Sequence, residues 1–223
     1  WFVFCDGRAG FDWTPAGPRL QPVVIDDMHA ALDALGRHGL RMVPVLFDFT
    51  WTRPRRVEHG VELGGRVGVL RDPIARHDLW RAIDGLLSEV GRDARIASWD
   101  LWNEPEWMCA PWLPPGRRLS RRHVRRCLGE LALHVRWHAR QPMTVGLASV
   151  HGLPLCRDLA LDLLQVHWYD HLERRAPLAH RPHTAWTAAP IVLGEFPTRG
   201  SHKSPEDIHA CARRAGYAAA WPW

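Results

Sequence analysis

A chain of 223 residues, 46% hydrophobic and 24% charged, has enough apolar surface for a sizeable core and is expected to form one domain, with nothing in it that reads as disordered. No apolar run is long enough to span a bilayer, no leader is legible at the start, and no aromatic-interleaved basic motif is present, so neither a membrane nor a nucleic acid is expected as a partner. The net charge of +5 is almost wholly arginine, and the five cysteines, odd in number and without a C-x-x-C pair, exclude a disulfide framework.

Taken in order, the chain alternates strand-like and helix-like segments. Trp1 to Cys5 reads as a strand. Asp26 or Asp27 caps a helix whose inward face is Met28, Ala31, Leu32 and Leu35, and Gly39 ends it before a strand from Arg41 to Phe47. Asp72-Pro73 starts the next helix, with Leu79, Ile83, Leu86, Leu87 and Val90 inward. A short apolar strand from Ile96 to Trp102 follows, and it must stop at Pro105, which has no N–H for a ladder. Arg118, Arg121, Arg122, Arg125 and Arg126 form the solvated face of a helix whose other face is Val124, Leu128, Leu131 and Val135. A strand near Pro142 to Ser149, a helical piece around Cys156 and a strand from Leu163 to His167 come next. The stretch from Leu172 to Ala189 reads as loop with at most one short helix. A strand from Ile191 to Gly194 ends in Glu195, Ser204-Pro205 opens the last helix, and Gly216 to Trp221 is the last strand.

Short apolar strands alternating with helices, with no hairpin signal, predict parallel strands joined by helical crossovers. A doubly wound sheet and a (β/α)8 barrel both fit that alternation. The placement of unusual residues favours the barrel. No G-x-G-x-x-G or phosphate-binding loop follows the first strand, whereas strand tips along the chain carry Asp6, Asp48, Glu104, His167, Glu195 and Trp221. Glu104 stands at the tip of its strand beside Asn103. Adjacent strand residues point to opposite faces, so these two can serve one ligand only if the chain bulges or turns there.

These residues carry a family resemblance. Asn103-Glu104-Pro105, His167-Trp168-Tyr169, Gly194-Glu195-Phe196 and Trp221, in that order and each at a strand tip, resemble the retaining glycoside hydrolases with barrel folds, most closely glycoside hydrolase family 5. The resemblance implies a single barrel domain over residues 1–223 comprising strands two to eight, with the first strand and the last helix missing. It also implies the roles of the site. Glu104 would be the acid/base and Glu195 the nucleophile, Asn103 would meet the sugar 2-hydroxyl, Tyr169 would bond Glu195, His167 would wall the same subsite, and Trp221 would lie under the sugar ring. Two departures stand out: the arginine these enzymes carry near the second strand is lost or represented by Arg8, and the usual histidine after the third strand is replaced by Asp48-Phe49-Thr50-Trp51.

The chemistry requires two carboxyls in different states. A glycosidic oxygen leaves readily only if protonated as it departs, so one carboxyl must deliver a proton while the other, about 5 Å away, attacks C1 as an anion. The expected substrate is a β-linked polysaccharide or oligosaccharide, β-mannan or β-glucan first, hydrolysed by a monomer without cofactor; the other reading is a catalytically silent carbohydrate-binding barrel. Among the 13 tryptophans, Trp51, Trp107 and Trp221 at or just past strand tips are expected to be sugar platforms, whereas Trp80 and Trp137, inside helices, are expected to pack in the core or its grooves. Asp6, Arg8 and Asp48 are further candidate contacts. His134 with His138, and His167 with His171, have the i,i+4 spacing of a metal pair, but neither carries the Glu of H-E-x-x-H and no metal is expected. The chain opens at Trp1 inside an apolar run and its first methionine is Met28, so this start is expected to lie inside the natural protein and localisation is unreadable.

Overall fold

A computed structural model describes residues 1–180, 182 and 186–223. In chain order its elements are β1 (Phe11–Thr14), β2 (Gly17–Leu20), α1 (Val23–Arg37), β3 (Val45–Asp48), β4 (Arg56–Glu58), β5 (Val61–Leu63), α2 (Val67–Arg71), α3 (Pro73–Ala82), α4 (Asp84–Val90), β6 (Trp99–Asn103), α5 (Arg121–His138), β7 (Met143–Leu147), β8 (Leu164–His167), β9 (Ile191–Glu195) and α6 (Pro205–Ala215). Short stretches of 3-10 helix follow the tips of β3, β6, β7 and β8.

The architecture is α/β. β3, β6, β7, β8 and β9 form one sheet in that order, every pair parallel. Parallel bridges from Phe2 to Val45 and from Ala220 to Leu193 add a position at each edge, giving seven parallel positions. The rings of Phe2 and Trp223 meet edge to face at 5.8 Å, so the sheet curls until its two outermost positions touch. This is a barrel sheet with seven of eight positions filled by the described residues. Strands buried on both faces explain the continuous apolar runs: all five residues of β6 and of β7 are buried.

The helix ends follow local chemistry. Asp72 accepts from the N–H groups of Ile74 and Ala75 with Pro73 in the first turn, Ser120 caps α5 by accepting from His123, and Ser204 caps α6 by accepting from Asp207. α5 buries Val124, Leu128, Leu131 and Val135 and turns its arginines to solvent, as the spacing predicts.

Several expectations need correction. The first and last strands are not regular: Trp1 to Cys5 and Gly216 to Trp221 each meet the sheet at an isolated bridge, Phe2 to Val45 and Ala220 to Leu193, flanked by backbone bonds such as Val3 N–H to Val45 O and Trp221 N–H to Leu193 O. α1 begins at Val23, so Asp26 lies in its first turn, near the positive end of the helix, rather than at the cap. Two hairpins, β1–β2 and β4–β5, went unread in the sequence. The second turns on His59 and Gly60, both at positive φ, the backbone that a two-residue hairpin loop demands; His-Gly is a weaker signal than Asn-Gly. Trp80 is buried, but Trp137 is 83% exposed and packs into no groove. Part of the Leu172 to Ala189 loop lies outside the described residues. No described helix is long and apolar enough to cross a membrane.

Candidate active site

Glu104 leaves β6 in a left-handed conformation, with φ 47° and ψ 50°. A residue with a Cβ pays about 1–2 kcal/mol for that backbone. The turn swings the Glu104 side chain back toward the face that Asn103 already occupies. The β6–β7 register shifts between Asp100 and Asn103 at the same place, and the Glu104 N–H donates to Gly146 O at 2.6 Å, which fixes the turn.

Asn103 is held from below. Its Nδ2 donates to Asp48 Oδ2 at 2.7 Å, while Asp48 Oδ1 accepts from the Thr50 N–H at 2.8 Å and so caps the turn after β3. Burial drives the Asp48 pKa up and the Glu104 charge adds to it, against the bonds from Thr50 and Asn103. Asp48 is therefore placed to orient Asn103 rather than to meet a ligand itself. Asp48→Ala is expected to lower kcat by roughly 10- to 100-fold, as losses of supporting partners do, and Asp48→Asn, which keeps one acceptor oxygen, should fall between. Equal kcat in all three proteins, measured on any substrate the wild type cleaves, would remove this role.

The tips of β8 and β9 supply the other half. Their register shifts between Val166 and His167, so that His167 pairs with Glu195. Gly194 is required by close approach, because a Cβ there would meet Gln165 Cγ at 2.1 Å. His167 is buried, with Nδ1 3.0 Å from Glu104 Oε1 and 3.6 Å from Glu195 Oε2. The ligand atoms of Glu104, His167 and Glu195 all lie within 4.8 Å of one another, so an oxygen of each carboxylate comes within that limit of the other. The remaining oxygens have partners of their own: Trp107 Nε1 donates to Glu104 Oε2 at 2.7 Å, and the Tyr169 hydroxyl donates to Glu195 Oε1.

Electrostatics follow from this packing. Burial works against a charge on His167, but the Glu104 bond and the charges of Glu195, Glu104 and Asp100 together outweigh it and raise its pKa. Burial first, and then the bond and charge of Glu195, push the Tyr169 phenol up, so it stays a hydrogen-bond donor. Beneath His167, Gln165 Nε2 donates to Asp100 Oδ2 at 3.1 Å and lies 3.4 Å from His167 Nε2. Asp100 is fully enclosed. Burial pushes it up to about 6 despite the Gly146 and Trp102 N–H groups, the His167 charge and the Gln165 amide.

Two cavities flank the carboxylate pair. One, of about 220 Å³, is bounded by Asn103, Glu195, Trp221 and Trp223 and reaches past Asp100 and Gln165 to Trp1, Phe2, Val43 and Val45 beside the first sheet position; the other, of about 340 Å³, is lined by Glu106, Trp107, Trp112, Arg121, Ser149 and His151 among others. Trp107 and Trp112 pack at 5.5 Å and form the aromatic wall of the second.

The structure thus brings together Asn103, Glu104, His167, Tyr169, Glu195, Trp107 and Trp221. Trp51 it does not. That ring is fully buried, donates to Phe4 O at 3.0 Å and packs edge-on against Phe11, Phe47 and Trp102, because the turn after Asp48 folds it inward, so it is core and not a sugar platform. Phe49 takes the outer place, 6.4 Å from the Trp107 ring. Asp6 and Arg8 are spent on each other. Arg8 Nη2 meets Asp6 Oδ2 at 2.6 Å, and among the described residues neither has a polar contact with Glu104 or Glu195. Asp100, Gln165 and Glu106 went unread as site residues. The signal for Asp100 was present: an acid in the middle of a strand that is otherwise apolar needs a buried partner.

No protein-family model matches the chain, and no curated protein matches its sequence. Solved structures do match. A beta-mannanase from the blue mussel Mytilus edulis superposes with TM-score 0.76 at 19% identity, over 100% of this chain and 73% of that one. This chain has that enzyme's fold. A GH5_18 protein from Bifidobacterium longum subsp. longum matches with TM-score 0.65 at 14% identity, over 92% of this chain and 56% of that one. Endo-glycoceramidase II from Rhodococcus sp. matches with TM-score 0.58 at 14% identity, over 95% of this chain and 62% of that one. The chain therefore spans under two thirds of the latter two and about three quarters of the mannanase. The shared barrel accounts for the all-parallel strand order and for functional side chains collecting at the C-terminal strand tips.

Proposed function

We propose that this chain is the catalytic barrel of a retaining glycoside hydrolase acting on β-linked glycans, with β-mannan or β-glucan first among the substrates. One observation carries the reading: two carboxylates at the barrel mouth approach within 4.8 Å, each held by partners of its own. That spacing suits a carboxylate attacking C1 directly and is too short to seat a water between the pair, as inversion requires. The likeness in fold to the mussel mannanase supports the reaction class.

In this reading the sugar that is attacked lies in the cavity bounded by Asn103, Glu195 and Trp221. Glu195, steadied by Tyr169, attacks C1. Glu104 gives its proton to the departing oxygen, and the leaving group departs toward the Trp107–Trp112 wall. Water then enters on the same side, Glu104 takes its proton, and the glycosyl–Glu195 ester is cleaved with overall retention. Asn103, oriented by Asp48, meets the 2-hydroxyl. His167, between the two carboxylates, offsets their mutual repulsion when both are charged.

The test is a screen on mannan, glucan, xylan and aryl glycosides, with the anomer of the first product read by NMR. A β-product from a β-substrate is expected. An α-product would remove the double displacement, and saturable glycan binding with no cleavage of any substrate would make the chain a binding barrel instead.

A further inference from the structure

The i,i+4 pair His134 and His138 acquires a third neighbour that the sequence hides. Asp84 opens α4, 50 residues before His134 in the chain, and the packing of α4 against α5 sets its Oδ1 2.7 Å from His134 Nε2 and 3.2 Å from His138 Nε2. All three candidate ligand atoms lie within 4.8 Å of one another. The two rings stand 5.6 Å apart at 51°, both presenting Nε2 to one point.

Two details fit a ligand set as well as an ion pair. Asp84 Oδ1 and His134 Nε2 are both buried, yet neither has a hydrogen bond of acceptable geometry even though they are in contact. Two imidazole nitrogens and a carboxylate oxygen that converge on one point offer the donor set of a metal ligand cluster. The second detail is Ser88 Oγ, 3.4 Å from His138 Nδ1, in the place where an outer partner fixes the tautomer that leaves Nε2 free for a metal.

We propose that Asp84, His134 and His138 bind one divalent transition cation, zinc foremost, which pins α4 to α5 on the outside of the barrel. Two imidazoles and a carboxylate are a ligand set that zinc accepts, and the partly exposed histidines, at 22% and 18%, leave a side open for a water as fourth ligand. Zinc bonds of about 2.0–2.1 Å in a tetrahedron place neighbouring ligand atoms about 3.3 Å apart, so the 2.7 Å gap must open by about half an ångström. Asp84 can supply that movement, because its side chain is 41% exposed and sits on the first residue of a helix. The site is remote in role from the glutamate pair and does not depend on the proposed reaction.

Calorimetric titration of the chain with zinc chloride at neutral pH is expected to give one saturable site, with a rise in Tm on loading. Asp84→Ala and His138→Ala should each weaken it by at least the roughly 100-fold upper figure for losing a mere outer-shell partner, and Ser88→Ala by roughly 10-fold. Glu104→Gln should leave zinc affinity unchanged, which separates this site from the Glu104–His167–Glu195 cluster. The cobalt-loaded wild type needs no variant: strong visible bands of a four-coordinate centre support the proposal. Absence of saturable zinc binding at millimolar metal, weak six-coordinate cobalt bands, or zinc affinity that His138→Ala preserves would each overturn it and leave a His–Asp ion pair only.

Discussion

Glu195→Ala is expected to abolish turnover of polysaccharide and aryl glycoside alike, with a loss on the order of 10⁵–10⁶ in kcat, because every substrate passes through attack by that carboxylate. Glu104→Ala should behave differently. Protonation matters most for a poor leaving group, so the loss on polysaccharide should be roughly 10²–10⁴, while a dinitrophenyl glycoside, whose leaving group departs unassisted, should still transfer its sugar to Glu195. Azide should then accelerate turnover of Glu104→Ala by attacking the stranded ester, giving a product of retained configuration. With Glu195→Ala, azide can enter only the vacated nucleophile position, and its product must be inverted. Trp107 and Tyr169 each hold one glutamate and not the other, so the two carboxylates stand in different surroundings. If Glu195→Ala keeps the aryl activity and Glu104→Ala loses it, the roles are exchanged; if both match the wild type, the barrel mouth is not the active site.

The second large effect concerns stability, at Glu106. Both carboxyl oxygens are buried without a well-aligned hydrogen-bond partner, and Oε1 presses on Gly152, where a Cβ would come within 2.0 Å. Burial above all, with a smaller push from the Glu104 charge, raises the pKa from 4.5 to about 7, against the backbone N–H groups of Glu106 and Ala148 and the His167 charge. A folded pKa above the unfolded one means that the folded state binds more protons between pH 4.5 and 7, so stability is fully present below 4.5 and falls as pH rises through 7. The gap corresponds to about 3 kcal/mol. Glu106→Gln, a neutral isostere, should match the wild type in urea unfolding near pH 4 and exceed it by up to about 3 kcal/mol at pH 8. Parallel stability curves for the two proteins would show that Glu106 finds a partner in solution. The variant also tests whether the cavity beside Trp107 needs a charge, through KM for long substrates.

The sequence carried the fold further than it carried the site. Strand–helix alternation and the tip residues sufficed for a parallel barrel sheet, and caps such as Asp72 and Ser204 were legible because they act within four residues of themselves. The hairpin on His59-Gly60 was not, since no strong two-residue turn signal marks it. Trp51 shows the limit most plainly. Its position just past a strand tip suited a sugar platform, but a 3-10 turn capped by Asp48 rotates the ring into a cluster with Phe47 and Trp102. The pairing of Arg8 was not legible either, as Asp6 two residues earlier captures its guanidinium. Contacts such as Asp48–Asn103 and Asp84–His134 join residues about fifty positions apart, and no periodicity within either segment announces them. The left-handed backbone of Glu104 is the intermediate case. The need for a turn that puts Asn103 and Glu104 on one ligand was readable, while its form was not.

The central claim, that Glu195 becomes covalently bonded to the sugar, is tested most directly by trapping. A 2-fluoro dinitrophenyl glycoside of a sugar that the chain accepts should form the ester quickly and lose it slowly, because the fluorine destabilises both transition states while the leaving group rescues only the first. Intact mass should rise by one fluoroglycosyl unit, and peptide mapping should place it on Glu195. A label on Glu104 or elsewhere, or steady turnover of the parent substrate with no label at any time, would contradict the account.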